Sequence, residues 1–127
     1  KFKDFEVLSG WTKLSIIKPQ KKSNSYRIVE IDATLFLEVS TQKPEITFLT
    51  DLNNFNLVKN YTWYCHKNKN DNTYYIWTND KNQNYKHLQL HRMICPEWKM
   101  IDHVNRCGLD NHESNLRETT HQENMLN

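Results

Sequence analysis

The sequence of 127 residues lacks the features that mark membrane and secreted proteins. No apolar run approaches the roughly 18 residues that a transmembrane helix needs, and no signal-peptide pattern opens the chain. Apolar residues make up only 37% of the chain, although four tryptophans, six tyrosines and five phenylalanines supply large side chains for a core. We therefore expect a protein without a membrane partner, located inside the cell, in the cytoplasm or the nucleus.

Cysteine is also scarce. Cys65, Cys95 and Cys107 are odd in number, and no two of them form a Cys-x-x-Cys pair. This pattern argues against a disulfide framework and against a zinc site built from paired cysteines. We expect three reduced thiols, as in an intracellular protein.

The chain has little excess charge of either sign, with a net charge of +2. The net charge argues only weakly for a nucleic-acid partner, but the distribution of charge along the chain is more informative. Residues 99–127 hold three basic against five acidic residues, whereas residues 1–48 hold eight against six and residues 49–98 hold six against four. Because binding to phosphates requires cations, the C-terminal segment would need a divalent ion and the upstream basic residues to hold a polyanion.

Short runs of β-branched and aromatic residues alternate with turn residues through residues 1–48, which predicts a β-rich N-terminal region. A lysine cluster at 18–22 lies in a polar break of this region. A charged loop of this kind is more often solvated than bound to DNA. Three aromatic-rich runs then predict a three-stranded antiparallel sheet, with strands near 61–65, 74–77 and 85–90.

The side chains of this predicted sheet have two interpretations. Its rings, Trp63, Tyr75 and Trp77, are best explained as core residues. Its lysines are explained equally well by a solvated surface and by a sheet that lies in a DNA groove. The candidate phosphate contacts are Lys67, Lys69, Lys81 and Lys86.

The C-terminal third contains the candidate catalytic residues. A short apolar run ends in Asp102-His103, a turn-rich loop follows, and residues 116–119 have strand propensity. Thr120 and Glu123 then have capping-box spacing, which predicts the start of a helix. The local prediction is strand, loop, strand, helix.

These residues resemble the HNH, or ββα-metal, nuclease module, in the variant found in phage- and intron-encoded homing endonucleases. The resemblance rests on several short motifs in the order typical of that family, which is more specific than one Asp-His pair. The motifs are Leu90-His91-Arg92, Asp102-His103-Val104-Asn105, Leu109-Asp110-Asn111, Asn115-Leu116-Arg117, Thr120 and Glu123-Asn124.

The resemblance implies roles for four residues. His103 is the candidate general base, because a neutral imidazole with a pKa near 6.5 accepts a proton at physiological pH. Asp102 and Asn124 are the candidate ligands of one divalent ion, and their hard oxygen atoms suit Mg²⁺ or Mn²⁺ better than Zn²⁺. Asn115 is expected to tie the loop to the backbone around His103 and so to orient the ring.

One difficulty concerns the strand itself. Adjacent residues of an extended strand point to opposite faces, so Asp102 and His103 share a site only if the strand twists or the loop bends there.

The roles of the remaining candidates stay open. Arg92 either contacts the scissile phosphate or pairs with a carboxylate, and His91 is explained as well by a structural hydrogen bond as by chemistry. No role is assigned to His112 or His121. Further candidate DNA contacts are Arg106 and Arg117.

The sequence thus predicts an α+β protein with a β-rich region over residues 1–48, a small antiparallel sheet over residues 49–92 and a C-terminal ββα-metal module over residues 93–127. The resemblance implies a metal-dependent, homing-type DNA endonuclease that cuts duplex DNA to 5′-phosphate and 3′-hydroxyl ends. The alternatives are a catalytically inactive DNA-binding module and a restriction- or toxin-type HNH nuclease. One active site cuts one strand at a time, so a monomer would nick and a dimer would cut both strands.

Overall fold

The computed structural model describes residues 5–14, 24–42, 44–80, 84 and 86–120. Several predictions concern residues outside these ranges: the lysine cluster at 18–22, Lys81, His121, Asn124 and the helix expected after Thr120.

The larger sheet is built mainly from the N-terminal half. Its strands are β1 (Glu6–Val7), β2 (Thr12–Lys13), β3 (Ser25–Ile31), β4 (Thr34–Ser40), β5 (Thr47–Asp51) and β10 (Asp110–Asn111). The order is β1–β3–β4–β5–β10, and β2 also pairs with β3. At the turn between β3 and β4, Asp32 and Ala33 have φ values of 50° and 66°, which is typical of a two-residue hairpin turn.

The second sheet has three antiparallel strands, β6 (Tyr64–His66), β7 (Tyr75–Asp80) and β8 (Lys86–Gln89), and lies where the sequence predicts such a sheet. The last strand differs from the prediction because it stops at Gln89, and Leu90 begins the short helix α2 (Leu90–Ile94). Leu90 is completely buried in the core. Tertiary packing of this side chain has therefore overridden the strand propensity of the run.

A two-stranded antiparallel sheet follows, formed by β9 (Ile101–His103) and β11 (Leu116–Glu118). The long loop between them contains β10 and a 3₁₀ turn over Glu113–Asn115. The strand–loop–strand part of the predicted unit is therefore present, and its helix falls outside the described residues.

The main core lies between the larger sheet and the three-stranded sheet, together with α1 (Phe55–Val58). Trp63 is its largest fully buried side chain, and its indole N–H donates to the Val58 carbonyl at 2.8 Å. Asn24 fixes the Trp63 backbone by accepting from its N–H at 2.7 Å and donating to its carbonyl at 3.0 Å. These bonds satisfy the polar groups that burial of the tryptophan removes from water.

β10 joins the C-terminal segment to the larger sheet. It pairs parallel to β5, with Asp110 opposite Leu49 and Asn111 opposite Thr50. The Thr50 hydroxyl donates to the Asn111 carbonyl at 2.9 Å. The described residues thus form an α+β protein in which strands predominate, and the division into parts at residues 48 and 92 stays a prediction. In the ranges that the structure describes, no helix is long and apolar enough to cross a membrane.

Candidate active site

A pocket of about 280 Å³ lies between the loop that joins β6 to β7 and the strand β9 with the turn after it. Its walls therefore come from the three-stranded sheet and from the C-terminal hairpin. The lining residues are 70–73, Tyr75, Ile101, Asp102, His103 and Arg106.

Strand pairing explains how Asp102 and His103 reach the same pocket. β9 pairs with β11 along one edge, with His103 opposite Leu116 and Asp102 opposite Arg117. Three consecutive residues of β9 line the pocket, so the pocket follows the edge of the strand rather than one face. Neighbouring side chains of opposite orientation can then border one space.

The His103 ring is buried, with 5% of the residue exposed, and a hydrogen bond fixes its orientation. Nε2 lies 2.9 Å from Oδ1 of Asn111, and Nδ2 of Asn111 donates to the Gly108 carbonyl at 3.1 Å. The amide nitrogen of Asn111 is thus used on the Gly108 carbonyl, and the amide oxygen faces the ring. An amide oxygen only accepts, so Nε2 of His103 carries the proton. The neutral ring then has its lone pair on Nδ1, which is the nitrogen able to accept a proton.

Two rings pack against His103: Tyr75, with ring centres 5.9 Å apart, and His91, at 5.0 Å. Burial lowers the pKa of His103 below its ordinary value and outweighs the opposing effects of the Asn111 hydrogen bond and of nearby carboxylates. The imidazole is therefore neutral at physiological pH, which is the state that a general base requires.

Asn115 holds the loop between β9 and β11. Its Oδ1 accepts from the Asn105 N–H at 3.0 Å, and its Nδ2 donates to the Asn105 side chain at 2.9 Å and to the Asp110 carbonyl at 2.8 Å. These contacts begin two residues after His103. The hydrogen bond to the imidazole itself comes from Asn111. Asn115 therefore holds the loop, and Asn111 orients the ring.

Two acidic residues near the pocket have basic partners. Arg117 donates to Oδ2 of Asp102 through Nη2 at 2.8 Å and Nε at 3.2 Å, across the β9–β11 pair. The Arg117 side chain is 49% exposed and that of Asp102 only 17%. Asp110 pairs with Nδ1 of His112 and accepts from Nδ2 of Asn105 at 2.8 Å. His112 therefore has a structural partner, and Arg117 holds Asp102 in place.

Three of the predicted DNA contacts lie close to the pocket or brace it. Arg106 lines the pocket directly. The Lys67 ammonium lies 5.7 Å from the centre of the Tyr74 ring, at the start of the loop whose later residues line the pocket. Arg92 donates from Nη1 to the Lys99 carbonyl at 2.9 Å and so braces the segment before β9.

The other two described candidate lysines differ in their distance from the pocket. Lys69 is exposed and directly precedes the pocket-lining loop residues. Lys86 is exposed and pairs in register with Asp80, which is five residues along β7 from Tyr75, or about 17 Å. A DNA backbone that contacts Lys69 and Lys86 together would have to run along the length of β7.

The residues that line the pocket include donor types that hard cations prefer. Residues 70–73 and Asp102 provide carboxylate, amide and hydroxyl groups, which are the ligands that Mg²⁺ and Mn²⁺ prefer. Among the described residues, no group of three or more His, Cys, Asp and Glu side chains is arranged to hold a metal ion. Asn124 lies outside those residues, so the pairing of Asp102 with Asn124 as metal ligands stays a prediction.

His91, in α2, is buried beside His103, and its ring centre is 6.0 Å from that of Tyr75. Burial, together with the neighbouring His103 and Arg92, lowers the pKa of His91 to about 3. The ring stays neutral in the folded protein but titrates near 6.5 in the unfolded chain. Folding is therefore coupled to the protonation of this residue.

We expect the free energy of unfolding to fall as the pH drops from about 6.5 towards 4, because the unfolded chain binds a proton that the folded protein excludes. Where the unfolded chain is fully protonated at His91 and the folded protein is not, each pH unit lowers the free energy of unfolding by about 1.4 kcal/mol. His91→Gln should remove this part of the slope and leave the part due to His103, whose pKa burial also lowers. Urea unfolding at several pH values measures it, with His87→Gln on exposed β8 as the matched control. Equal slopes in the His91 variant and the wild type would contradict this account.

Sequence reasoning missed three contributors to the pocket. Tyr75 is predicted as a core ring, yet it is half-buried and lines the pocket. Alternation along β7 is the available signal, because Tyr75 and Trp77 take the face opposite the buried Ile76. Asn111 stands within the Leu-Asp-Asn motif. Nothing in the sequence places the polar linker at residues 70–73 beside Asp102.

No protein-family model, curated protein or solved structure matches this chain. The function is therefore inferred from the residues of the pocket and from the resemblance of the C-terminal motifs.

Proposed function

We propose that this protein is a metal-dependent HNH endonuclease of the homing type, which hydrolyses a phosphodiester in duplex DNA to 5′-phosphate and 3′-hydroxyl ends. The observation that supports it is the pocket at the edge of β9, where Asp102, His103 and Arg106 border one space. A base, a hard oxygen ligand and a fixed positive charge are what phosphodiester hydrolysis needs.

His103 is the proposed general base. Its Nε2–H is held by Asn111, which leaves the Nδ1 lone pair to take a proton from the attacking water. Burial keeps the ring neutral, so no proton has to be lost before the reaction. A positioned base contributes roughly 10²–10⁴ in rate.

Asp102 and Asn124 are the residues that would hold one Mg²⁺ or Mn²⁺ ion. Such an ion supplies Lewis-acid activation of the phosphate and stabilisation of the leaving 3′ oxygen. Arg117 fixes the Asp102 carboxylate through two bonds to one oxygen. Asn115 keeps the loop around His103 in one conformation. The chain's own residues thus orient the base and the carboxylate before substrate arrives.

Double-stranded DNA is the proposed partner. Phosphates near the cut would be neutralised by Arg106, which lines the pocket, and by Lys67 and Lys69, which precede the pocket-lining residues in the same loop. Arg92 and Lys86 would reach more distant phosphates. Because the cleavage segment carries more acidic than basic residues, affinity should depend on these upstream cations and fall with salt.

A DNA-binding module without catalysis is the competing proposal. The ion pair between Arg117 and Asp102 favours it, because Arg117 occupies Oδ2 of the carboxylate that is proposed as a metal ligand. A restriction- or toxin-type nuclease would use the same pocket and the same chemistry.

Incubation of supercoiled plasmid with the protein separates nuclease from binding module. With Mg²⁺ we expect conversion to nicked circle, and with EDTA we expect none, because the proposed reaction requires the ion. A gel-shift assay on the same DNA runs in parallel. A shift without nicking in Mg²⁺ would support the binding module, and nicking that persists in EDTA would exclude the metal-dependent mechanism.

A further inference from the structure

Tyr75 occupies a position that the proposed mechanism does not yet use. It begins β7, where its backbone partner is His66, and its side chain is on the face opposite the buried Ile76 and Thr78. Its ring packs on both His91 and His103, and the residue lines the pocket. Tyr75 is thus the ring that connects the three-stranded sheet to the base.

Tyr75 lines the pocket together with Asp71 and Asp102. Burial, followed by the nearby carboxylates of Asp71 and Asp102, raises the pKa of Tyr75 above its ordinary value. Both carboxylates belong to residues that line the pocket. A tyrosine hydroxyl is protonated at neutral pH, so it can donate a hydrogen bond.

Within the described ranges Tyr75 makes ring contacts, and its hydroxyl forms no hydrogen bond. A half-buried phenol with no protein partner can exchange water for a ligand in the pocket without breaking a hydrogen bond within the protein.

We propose that Tyr75 is a catalytic residue whose hydroxyl donates a hydrogen bond to a non-bridging oxygen of the phosphodiester in the pocket. This inference rests on the proposed function and deepens it. The ligand is a phosphodiester because Arg106, a fixed cation, and Tyr75, a neutral donor, both line the pocket and can both donate to an anion. The same tyrosine packs on the base, so one residue would align the phosphate with His103.

Tyr75→Phe tests the contact, since it removes the hydroxyl and keeps the ring against His91 and His103. We expect the single-turnover rate of plasmid nicking to fall by roughly tenfold to a hundredfold, the loss typical of a hydrogen bond to a charged group. The melting temperature and the pH at which activity is half-maximal should not change. Tyr64→Phe, on exposed β6 of the same sheet, is the matched control and should nick at the wild-type rate.

A second measurement keeps this inference separate from the proposed nuclease activity. Dimethyl phosphate, a minimal phosphodiester, is titrated with Mg²⁺ into the wild type and the Tyr75→Phe variant, and binding is followed by NMR. We expect the variant to bind at least several-fold more weakly. If the wild type does not nick but binds the diester through Tyr75, the nuclease proposal fails and the phosphate contact stands. Equal binding of the diester by both proteins would overturn the role of Tyr75, and so would equal nicking rates if the wild type nicks.

Discussion

Replacing His103 by alanine is expected to abolish DNA nicking while gel-shift affinity for DNA is retained. The reason is that the proposed base is lost, whereas the cations that would bind phosphates, Arg106, Lys67 and Lys69, remain. The expected loss of rate is roughly 10²–10⁴, the contribution of a positioned general base. Single-turnover nicking of supercoiled plasmid in Mg²⁺ measures it.

The alanine variant also empties a buried site, so a second variant is needed. His103→Gln retains a buried amide that can donate to Asn111 in place of Nε2–H, but it has no basic nitrogen. It should be folded by circular dichroism and as inactive as the alanine variant. His87→Ala, on exposed β8, should nick like the wild type. Nicking by His103→Gln within a few-fold of the wild-type rate would show that His103 is not the base.

Gly108→Ala is expected to destabilise the protein and to disrupt the pocket. A Cβ atom at this position would lie 2.2 Å from the Tyr74 carbonyl oxygen and 2.8 Å from Cδ1 of Tyr75. The Gly108 N–H also donates to the Thr73 hydroxyl at 3.0 Å, so the C-terminal loop docks on the β6–β7 loop at this glycine. Overpacking of this kind typically lowers the free energy of unfolding by about 1–3 kcal/mol. The loss should be at the upper end of this range or above it, because the nearest atom belongs to the backbone and cannot move aside as a flexible side chain can. We expect a melting temperature lower by on the order of 5–10 °C.

Gly10→Ala is the matched control, because no atom lies within 4 Å of the Cβ that it would add. Its stability should stay within about 1 kcal/mol of the wild type. Since Gly108 sets the distance between the two walls of the pocket, Gly108→Ala should also lower nicking at temperatures where the variant is still folded. A variant with wild-type melting temperature would mean that the two loops are not in this close contact.

The strands of the second sheet, strand β9 and the motif residues could be predicted from the sequence, because each depends on a pattern of neighbouring residues. Alternating aromatic runs mark the strands of the second sheet, and the apolar run before Asp102 marks β9. Asp102, His103 and Asn115 come from short motifs whose order is informative by itself. The boundaries are predicted less well: β6 begins three residues after the predicted start, β7 ends three residues after the predicted end, and β8 stops at Gln89 rather than Leu90.

The contacts between distant segments could not be read in this way. β10 is two residues long, and its pairing with β5 depends on tertiary contacts rather than on propensity. The approach of residues 70–73 to Asp102 depends on Gly108 docking at Tyr74, which no periodicity reveals. Asn111, rather than Asn115, contacts the imidazole, and the strand that carries it is held by its pairing with β5. The site is therefore a product of the tertiary fold as much as of its motifs.

The chemistry of the nick tests the central claim most directly. Wild-type protein is incubated with supercoiled plasmid in Mg²⁺, and the nicked circle is purified and treated with DNA ligase. Hydrolysis by water activated at His103 predicts 5′-phosphate and 3′-hydroxyl ends, so ligase should reseal the circle without prior treatment of the ends. Plasmid that is not nicked in Mg²⁺, or nicks that ligase cannot seal, would contradict the account.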